Sequence, residues 1–161
     1  SKMKCILNVN GVLCETEVRP EECLLETLRE RLHITSVKRG CENGDCGACT
    51  VLIDGEAVTS CIYLTTKAEG KKIQTIEAFA KPGAEHPLLA KFVEYGAFQC
   101  GFCATGVSLS AIALLNREKH PSEERIREAL YGNLCRCSGY VQIVEAVKSY
   151  IAEQELGEGN G

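Results

Sequence analysis

The run Gly40-Cys41-Glu42-Asn43-Gly44-Asp45-Cys46-Gly47-Ala48-Cys49, followed by Cys61, constrains this chain more than any other stretch. Its spacing is C-x4-C-x2-C-x11-C. The first three spacings are those of a plant-type [2Fe–2S] ligand loop. Each iron of such a cluster needs two thiolates, so four sulfurs must converge from a loop and one distant strand end. Glycines let the loop wrap closely and turn backbone N–H groups toward the anionic centre. Cys61 follows an expected strand, which would hold the fourth ligand on the sheet. Structural zinc is the competing use. C-x2-C suits zinc, but C-x4-C on a glycine loop without a paired C-x2-C knuckle suits it less.

A second constellation lies further on. Gln99-Cys100-Gly101-Phe102-Cys103 holds a C-x2-C pair, and Leu134-Cys135-Arg136-Cys137-Ser138-Gly139-Tyr140 holds a C-x-C pair. Both pairs fall at expected helix boundaries, with Gly96 and Gly101 before one helix and Gly132 and Gly139 around the other pair. A helix N-terminus favours the thiolate through its dipole and free N–H groups. Spacing alone leaves a second [2Fe–2S] cluster, a structural zinc or redox-active thiols open. Beside the first motif, the cluster reading dominates. Cys5, Cys14 and Cys23 have apolar neighbours and read as packing thiols. His33, His86 and His120 have no ligand spacing and read as solvent or cap residues. Nothing pairs two of them with cysteines as a Rieske centre would require.

Composition removes several other classes. Eleven cysteines in 161 residues are too many for ordinary packing, yet the chain is too long to be a disulfide scaffold. Apolar residues are 45% and charged residues 25%, which excludes bulk disorder. No apolar run approaches the roughly 18 residues of a membrane-spanning helix. A net charge of −4 and the absence of Trp leave no general case for nucleic acid or an anionic membrane. Cys5-Ile6-Leu7-Asn8-Val9 is too short and too alternating for a signal segment, and there is no twin-Arg pair. Met3 reads as a native start, with a removed leader as the alternative. An odd number of cysteines without a signal fits a reducing cytoplasm.

The pattern of elements is α+β, then helical. Residues 5–9 and 12–18 read as strands around Asn10-Gly11, and 50–53 and 56–59 as strands around Asp54-Gly55. Pro20-Glu21-Glu22 reads as the opening of a helix carrying Leu24, Leu25, Leu28 and Leu32. Residues 72–75 read as a closing strand. This is the pattern of a β-grasp (ubiquitin-like) sheet over residues 1–77. Lys81-Pro82-Gly83-Ala84 is a break, and residues 78–161 read as a helical bundle. Its expected helices run from Pro87 to Gly96, from Val107 to Asn116, from the cap Ser122 to Gly132, and along Ile143, Val144, Val147 and Ile151. The Gly- and Glu-rich tail from Glu155 reads as frayed.

Gly40-Cys41 to Thr50, Gln99 to Cys103 and Gly132 to Tyr140 resemble the iron–sulfur (small) subunit of the molybdenum hydroxylase, or xanthine oxidase, family. The resemblance covers nearly the whole chain. It implies a β-grasp plant-ferredoxin-like domain with one [2Fe–2S] cluster on Cys41, Cys46, Cys49 and Cys61. It implies a four-helix domain with a second on Cys100, Cys103, Cys135 and Cys137. Gln99 and Cys137 match positions that contact molybdopterin across a subunit boundary. One departure is Ala104-Thr105-Gly106, where the family commonly has Thr-Pro-Gly. The resemblance further implies a large molybdopterin subunit, a medium FAD subunit and a dimer of heterotrimers. Electrons would pass from molybdenum through the C-terminal and then the N-terminal cluster to flavin. Ser60 to Leu64 and Ala68 to Lys71 lean toward xanthine-type purine substrates. Aldehydes, N-heterocycles such as nicotinate, carbon monoxide and aromatic acyl-CoA thioesters are alternatives, and a stand-alone ferredoxin-like carrier is a weaker one. Such a carrier has no use for a second domain with four cysteines of its own.

Overall fold

A computed structural model describes residues 1–98, 103–131 and 140–159. Gly101, Gly132 and Gly139, expected at helix boundaries, lie outside these residues. The N-terminal sheet is built from two hairpins. Strands β1 (Met3–Val9) and β2 (Val12–Val18) pair antiparallel, with Val9 opposite Val12. Asn10 and Gly11 both take positive φ, 53° and 84°, as a type I′ turn demands. Strands β3 (Thr50–Ile53) and β4 (Glu56–Thr59) repeat the device around Asp54 and Gly55. Strand β5 (Lys72–Gln74) then inserts between the hairpins, parallel to β1 and antiparallel to β3. The order β2-β1-β5-β3-β4 gives one mixed sheet of the expected β-grasp type. Asn10 pins the insertion: its Nδ2 donates to Thr75 Oγ1 and its Oδ1 accepts from Thr75 N, both at 2.8 Å.

Helix α1 (Leu24–Glu26) continues into one wider π turn over Thr27–Arg31, closed by Leu32 N donating to Thr27 O. It does not open at Pro20-Glu21-Glu22 as expected. Those residues form a turn, with Glu22 N donating to Arg19 O, and Cys23 is extended and bridged to Leu64. The physical reason is a competing ladder. Leu24 N donates to Tyr63 O and Thr65 N donates to Glu22 O, so backbone groups a helical first turn would use are committed to another segment. Downstream, Leu24, Leu25 and Leu28 bury as the stripe required, against Leu7, Val51 and Ile73. A short helix α2 (Thr65–Ala68) precedes β5.

Among the described residues four α-helices follow: α3 (Pro87–Glu94), α4 (Ala104–Arg117), α5 (Glu123–Leu130) and α6 (Tyr140–Gly159). His86 Nδ1 caps α3 by accepting from Leu88 N, and Ser122 Oγ caps α5 by accepting from Arg125 N. Helix α4 starts three residues before the expected Val107, because Ala104-Thr105-Gly106 continues its backbone without contributing to its apolar periodicity. The tail is not frayed from Glu155: α6 runs on to Gly159. His120 Nδ1 and Nε2 lie 3.2 Å from Glu155 and Glu158 and tie this last part of the helix to the α4–α5 connection.

The two halves share a wall. In β3 every residue is buried: Val51 and Ile53 face the core under α1, while Leu52 belongs to the helical core with Val107, Ile112 and Val147. Helix α4 therefore covers the sheet face opposite α1. Thr105 Oγ1, in the first turn of α4, donates to Ser36 O at 3.2 Å across this junction. No helix among the described residues is long and apolar enough to cross a membrane.

Candidate metal centre

The β3–β4 hairpin sets the position of two of the proposed ligands. Thr50 lies opposite Thr59, so Cys49, just before β3, and Cys61, just after β4, fall at the same end of the ladder. Ser60 locks them there, its N–H and Oγ both donating to Cys49 O, the hydroxyl at 2.6 Å. On the other side, Lys38 N donates to Ala48 O at 3.2 Å, and Thr50 Oγ1 donates to Gly47 O at 2.6 Å. The loop from Cys41 to Ala48 thus hangs between anchored ends.

Within it, backbone amides turn inward onto sulfur. Asp45 N and Cys46 N both lie 3.2 Å from Cys41 Sγ, and Asn43 N lies 3.5 Å from it. Cys41 N and Ala48 N each lie 3.4 Å from Cys46 Sγ. Close approach explains Gly40, where a Cβ would stand 2.5 Å from Cys46 Sγ. The backbone donors, those of Asn43 and Cys46 foremost, bring the Cys41 thiol down to about 7, so much of it is thiolate near neutrality. Cys61 behaves oppositely. Burial, then its S–H contact with Cys49 and the charge of that neighbour, push it up to about 12. Neighbouring sulfurs resist carrying adjacent negative charges, and bound iron would reverse that preference.

Cys41 and Cys46 therefore each receive the other's amide on sulfur, while Cys49 and Cys61 sit together at the end of the β3–β4 ladder. Among the described residues, no three Cys, His, Asp or Glu side chains form a group able to hold one ion. A tetrahedral zinc needs four donors around a point. Four cysteines on one loop and one hairpin end, with N–H donors aimed at two of the sulfurs, suit a two-iron anionic centre better, so the residues present fit a [2Fe–2S] cluster.

Of the second set, Cys103 is the buried N-cap residue of α4, and Val107 N donates to its carbonyl at 3.0 Å. This places it at a helix N-terminus, as expected. Gln99, Cys100, Cys135 and Cys137 lie outside the described residues. The remaining cysteines pack. Cys5 is buried in β1 with its thiol pushed up to about 11 by burial and then by Glu69, while Cys14 and Cys23 are half-buried against the N-terminal core. Sequence reasoning missed Ser60, because a serine beside a cysteine carries neither periodicity nor ligand spacing.

Comparison with known proteins agrees with this geometry. Residues 7–77 match the 2Fe-2S iron-sulfur cluster binding domain family, and residues 75–148 match the [2Fe-2S] binding domain family. Two such domains in succession define an iron–sulfur electron-transfer protein. The chain is 44% identical over 148 residues to the nicotinate dehydrogenase small FeS subunit of Eubacterium barkeri, covering 92% of this chain and 94% of that one. It is 46% identical over 141 residues to the xanthine dehydrogenase iron-sulfur-binding subunit of Escherichia coli O157:H7, covering 86% and 88%. Among solved structures, quinoline 2-oxidoreductase from Pseudomonas putida 86 superposes with a TM-score of 0.90 at 37% identity, covering 98% of both chains. The aldehyde oxidoreductase of Desulfovibrio desulfuricans ATCC 27774 superposes at 0.89 with 41% identity over 94% of this chain, which spans 17% of that longer one. This chain belongs to the iron–sulfur small subunits of the molybdenum hydroxylase family, the electron-transfer parts of multi-subunit oxidoreductases.

Proposed function

We propose that Cys41, Cys46, Cys49 and Cys61 ligate the cluster of the N-terminal domain (residues 1–77), and Cys100, Cys103, Cys135 and Cys137 that of the helical domain (residues 78–161). When bound, each cluster takes up and gives back one electron. The chain's own contribution is electrostatic. Amides of Asn43, Asp45, Cys46 and Ala48, aimed at the Cys41 and Cys46 sulfurs, stabilise negative charge there at no reorganisation cost. Ser60 and the β3–β4 ladder hold Cys49 and Cys61 in register. The observation that carries the reading is the set of inward N–H donors on the Cys41 and Cys46 sulfurs, beside Cys49 and Cys61 at one end of the β3–β4 ladder.

In this reading Gln99 and Cys137 face molybdopterin on a large partner subunit, a medium subunit carries FAD, and the assembly is a cytoplasmic dimer of heterotrimers. The substrate is a nitrogen heterocycle, with a lean to xanthine-type purines. Relatives named for nicotinate and xanthine, at 44% and 46% identity, support the heterocycle. The aldehyde oxidoreductase, at 41%, keeps aldehydes as the runner-up. Substrate identity leaves little mark on this chain because the reacting pocket belongs to another subunit.

Metal and sulfide analysis of the purified chain tests the ligand sets. About four iron and four sulfide per chain are expected for two [2Fe–2S] clusters, and zinc without sulfide defeats the reading. Co-purification with two larger chains, followed by a panel of purines, nicotinate and aldehydes, tests partners and substrate.

A further inference from the structure

One apolar side chain beside the N-terminal ligands has a placement that core packing does not explain. Ile62, next to Cys61, is 64% exposed, so it gains little of the stabilisation that full burial of an isoleucine brings. Yet its side chain is folded back tightly over the ligand loop. A Cβ built at Gly44 would stand 2.9 Å from Ile62 Cδ1, 3.6 Å from Cγ1 and 3.7 Å from Cγ2. Gly44 has φ +86°, a backbone conformation that side-chain-bearing residues rarely adopt. It lies in the ligand loop between Cys41 and Cys46. The side chain after Cys61 therefore lies across the middle of the loop that carries Cys41 and Cys46. The flanking residues are otherwise engaged. Tyr63 sits under Lys67 and Lys71, and Leu64 bridges to Cys23.

We propose that Ile62 is a positioning residue for the N-terminal cluster: a cover that keeps water off the Gly44 amide and the Cys61 sulfur and so holds the cluster's reduction potential down. The inference rests on the ligand assignment of Cys41, Cys46, Cys49 and Cys61. Reduction adds negative charge to a centre that is already anionic. Water near the sulfurs stabilises the added charge, and an aliphatic cover withholds that stabilisation. Solvent exposure is one of the levers that set cluster potentials, and Ile62 is the side chain seated on that lever.

The test is an EPR-monitored redox titration of the full chain carrying both clusters, as parent, Ile62→Ala and Ile62→Leu. Ile62→Ala is expected to move the midpoint of the plant-type signal to more positive potential. Ile62→Leu, which keeps the aliphatic bulk, should stay near the parent. The second cluster should not move in either variant. Deuterium modulation of the plant-type signal in D2O should grow in Ile62→Ala alone. A midpoint that is unchanged or more negative in Ile62→Ala, or a parallel shift of both clusters, overturns the inference. Absence of a plant-type signal in the parent overturns the ligand assignment itself, so the two failures are distinguishable.

Discussion

Glu22 is a carboxylate buried to 1% exposure, and its replacement by Gln should be among the most costly conservative changes in the N-terminal domain. Arg31 Nη2 donates to one of its oxygens at 2.6 Å and Arg31 Nε to the other at 2.8 Å. Thr27 Oγ1 donates to it as well and shares a 2.6 Å contact with Thr65 Oγ1. Burial alone would raise its pKa. Arg31, Thr27 and the Arg19 amide overcome burial and bring it from 4.5 to about 2. At 1.36 kcal/mol per pH unit this is worth roughly 3 kcal/mol. Because the folded-state value is the depressed one, the contribution is complete above 4.5 and is lost as pH falls from there toward 2. Glu22→Gln preserves shape but leaves the Arg31 cation facing an amide. Breaking a fully buried pair costs about 3–5 kcal/mol. The Arg31 side chain is 24% exposed, so water recovers part of that, and about 2–3 kcal/mol is expected. For a chain of this size that lowers Tm by about 5–10 °C. Far-UV circular dichroism melts of the cluster-loaded chain at pH 7 read this directly. A cycle with Arg31→Met isolates the pair, and the gap between parent and Glu22→Gln should narrow below pH 4.5. A Glu22→Gln melt within about 1 °C of the parent, or costs that simply add in the double variant, would refute the reasoning.

Other outcomes follow from the same contacts. Gly40→Ala puts a methyl 2.5 Å from Cys46 Sγ, so the N-terminal cluster should be lost and the helical one kept, with iron falling to about two per chain. Cys137→Ala should do the reverse: the plant-type EPR signal persists and the second disappears, and an unchanged two-cluster spectrum would sink that ligand. Leu52→Ala removes a fully buried side chain at the wall shared by the two halves, and urea denaturation should show a loss of about 2–5 kcal/mol.

Much of this was legible in the chain because it is locally encoded. Asn10-Gly11 and Asp54-Gly55 announce their hairpins, since both dipeptides tolerate the paired positive φ that the turns require. Ser122 as a cap and the leucines of α1 as a buried stripe are likewise local statements. The errors were non-local. Pro20-Glu21-Glu22 has the chemistry of a helix start, but a segment some forty residues away takes the hydrogen bonds. The tail beyond Glu155 has the composition of a frayed end, yet His120 holds it. Among the site residues, spacing singled out Cys41, Cys46, Cys49 and Cys61 as candidates, but it could not say which backbone amides would face their sulfurs.

By itself the sequence determined that cysteines are spaced in two groups, that the first group falls on a glycine-rich stretch, and that a sheet precedes a helical bundle. Ligand spacing and turn chemistry are properties of adjacent residues, so they survive without a fold. Only the tertiary structure decided that Cys49 and Cys61 meet at one end of a hairpin and that Ser60 fastens them. It alone turned the amides of Asn43, Asp45, Cys46 and Ala48 onto two sulfurs and folded Ile62 across Gly44. It also made β3 a wall buried on both faces, joining the two domains through Leu52 and Thr105. These depend on register, and on segments distant in the chain competing for the same backbone donors, which no local pattern records.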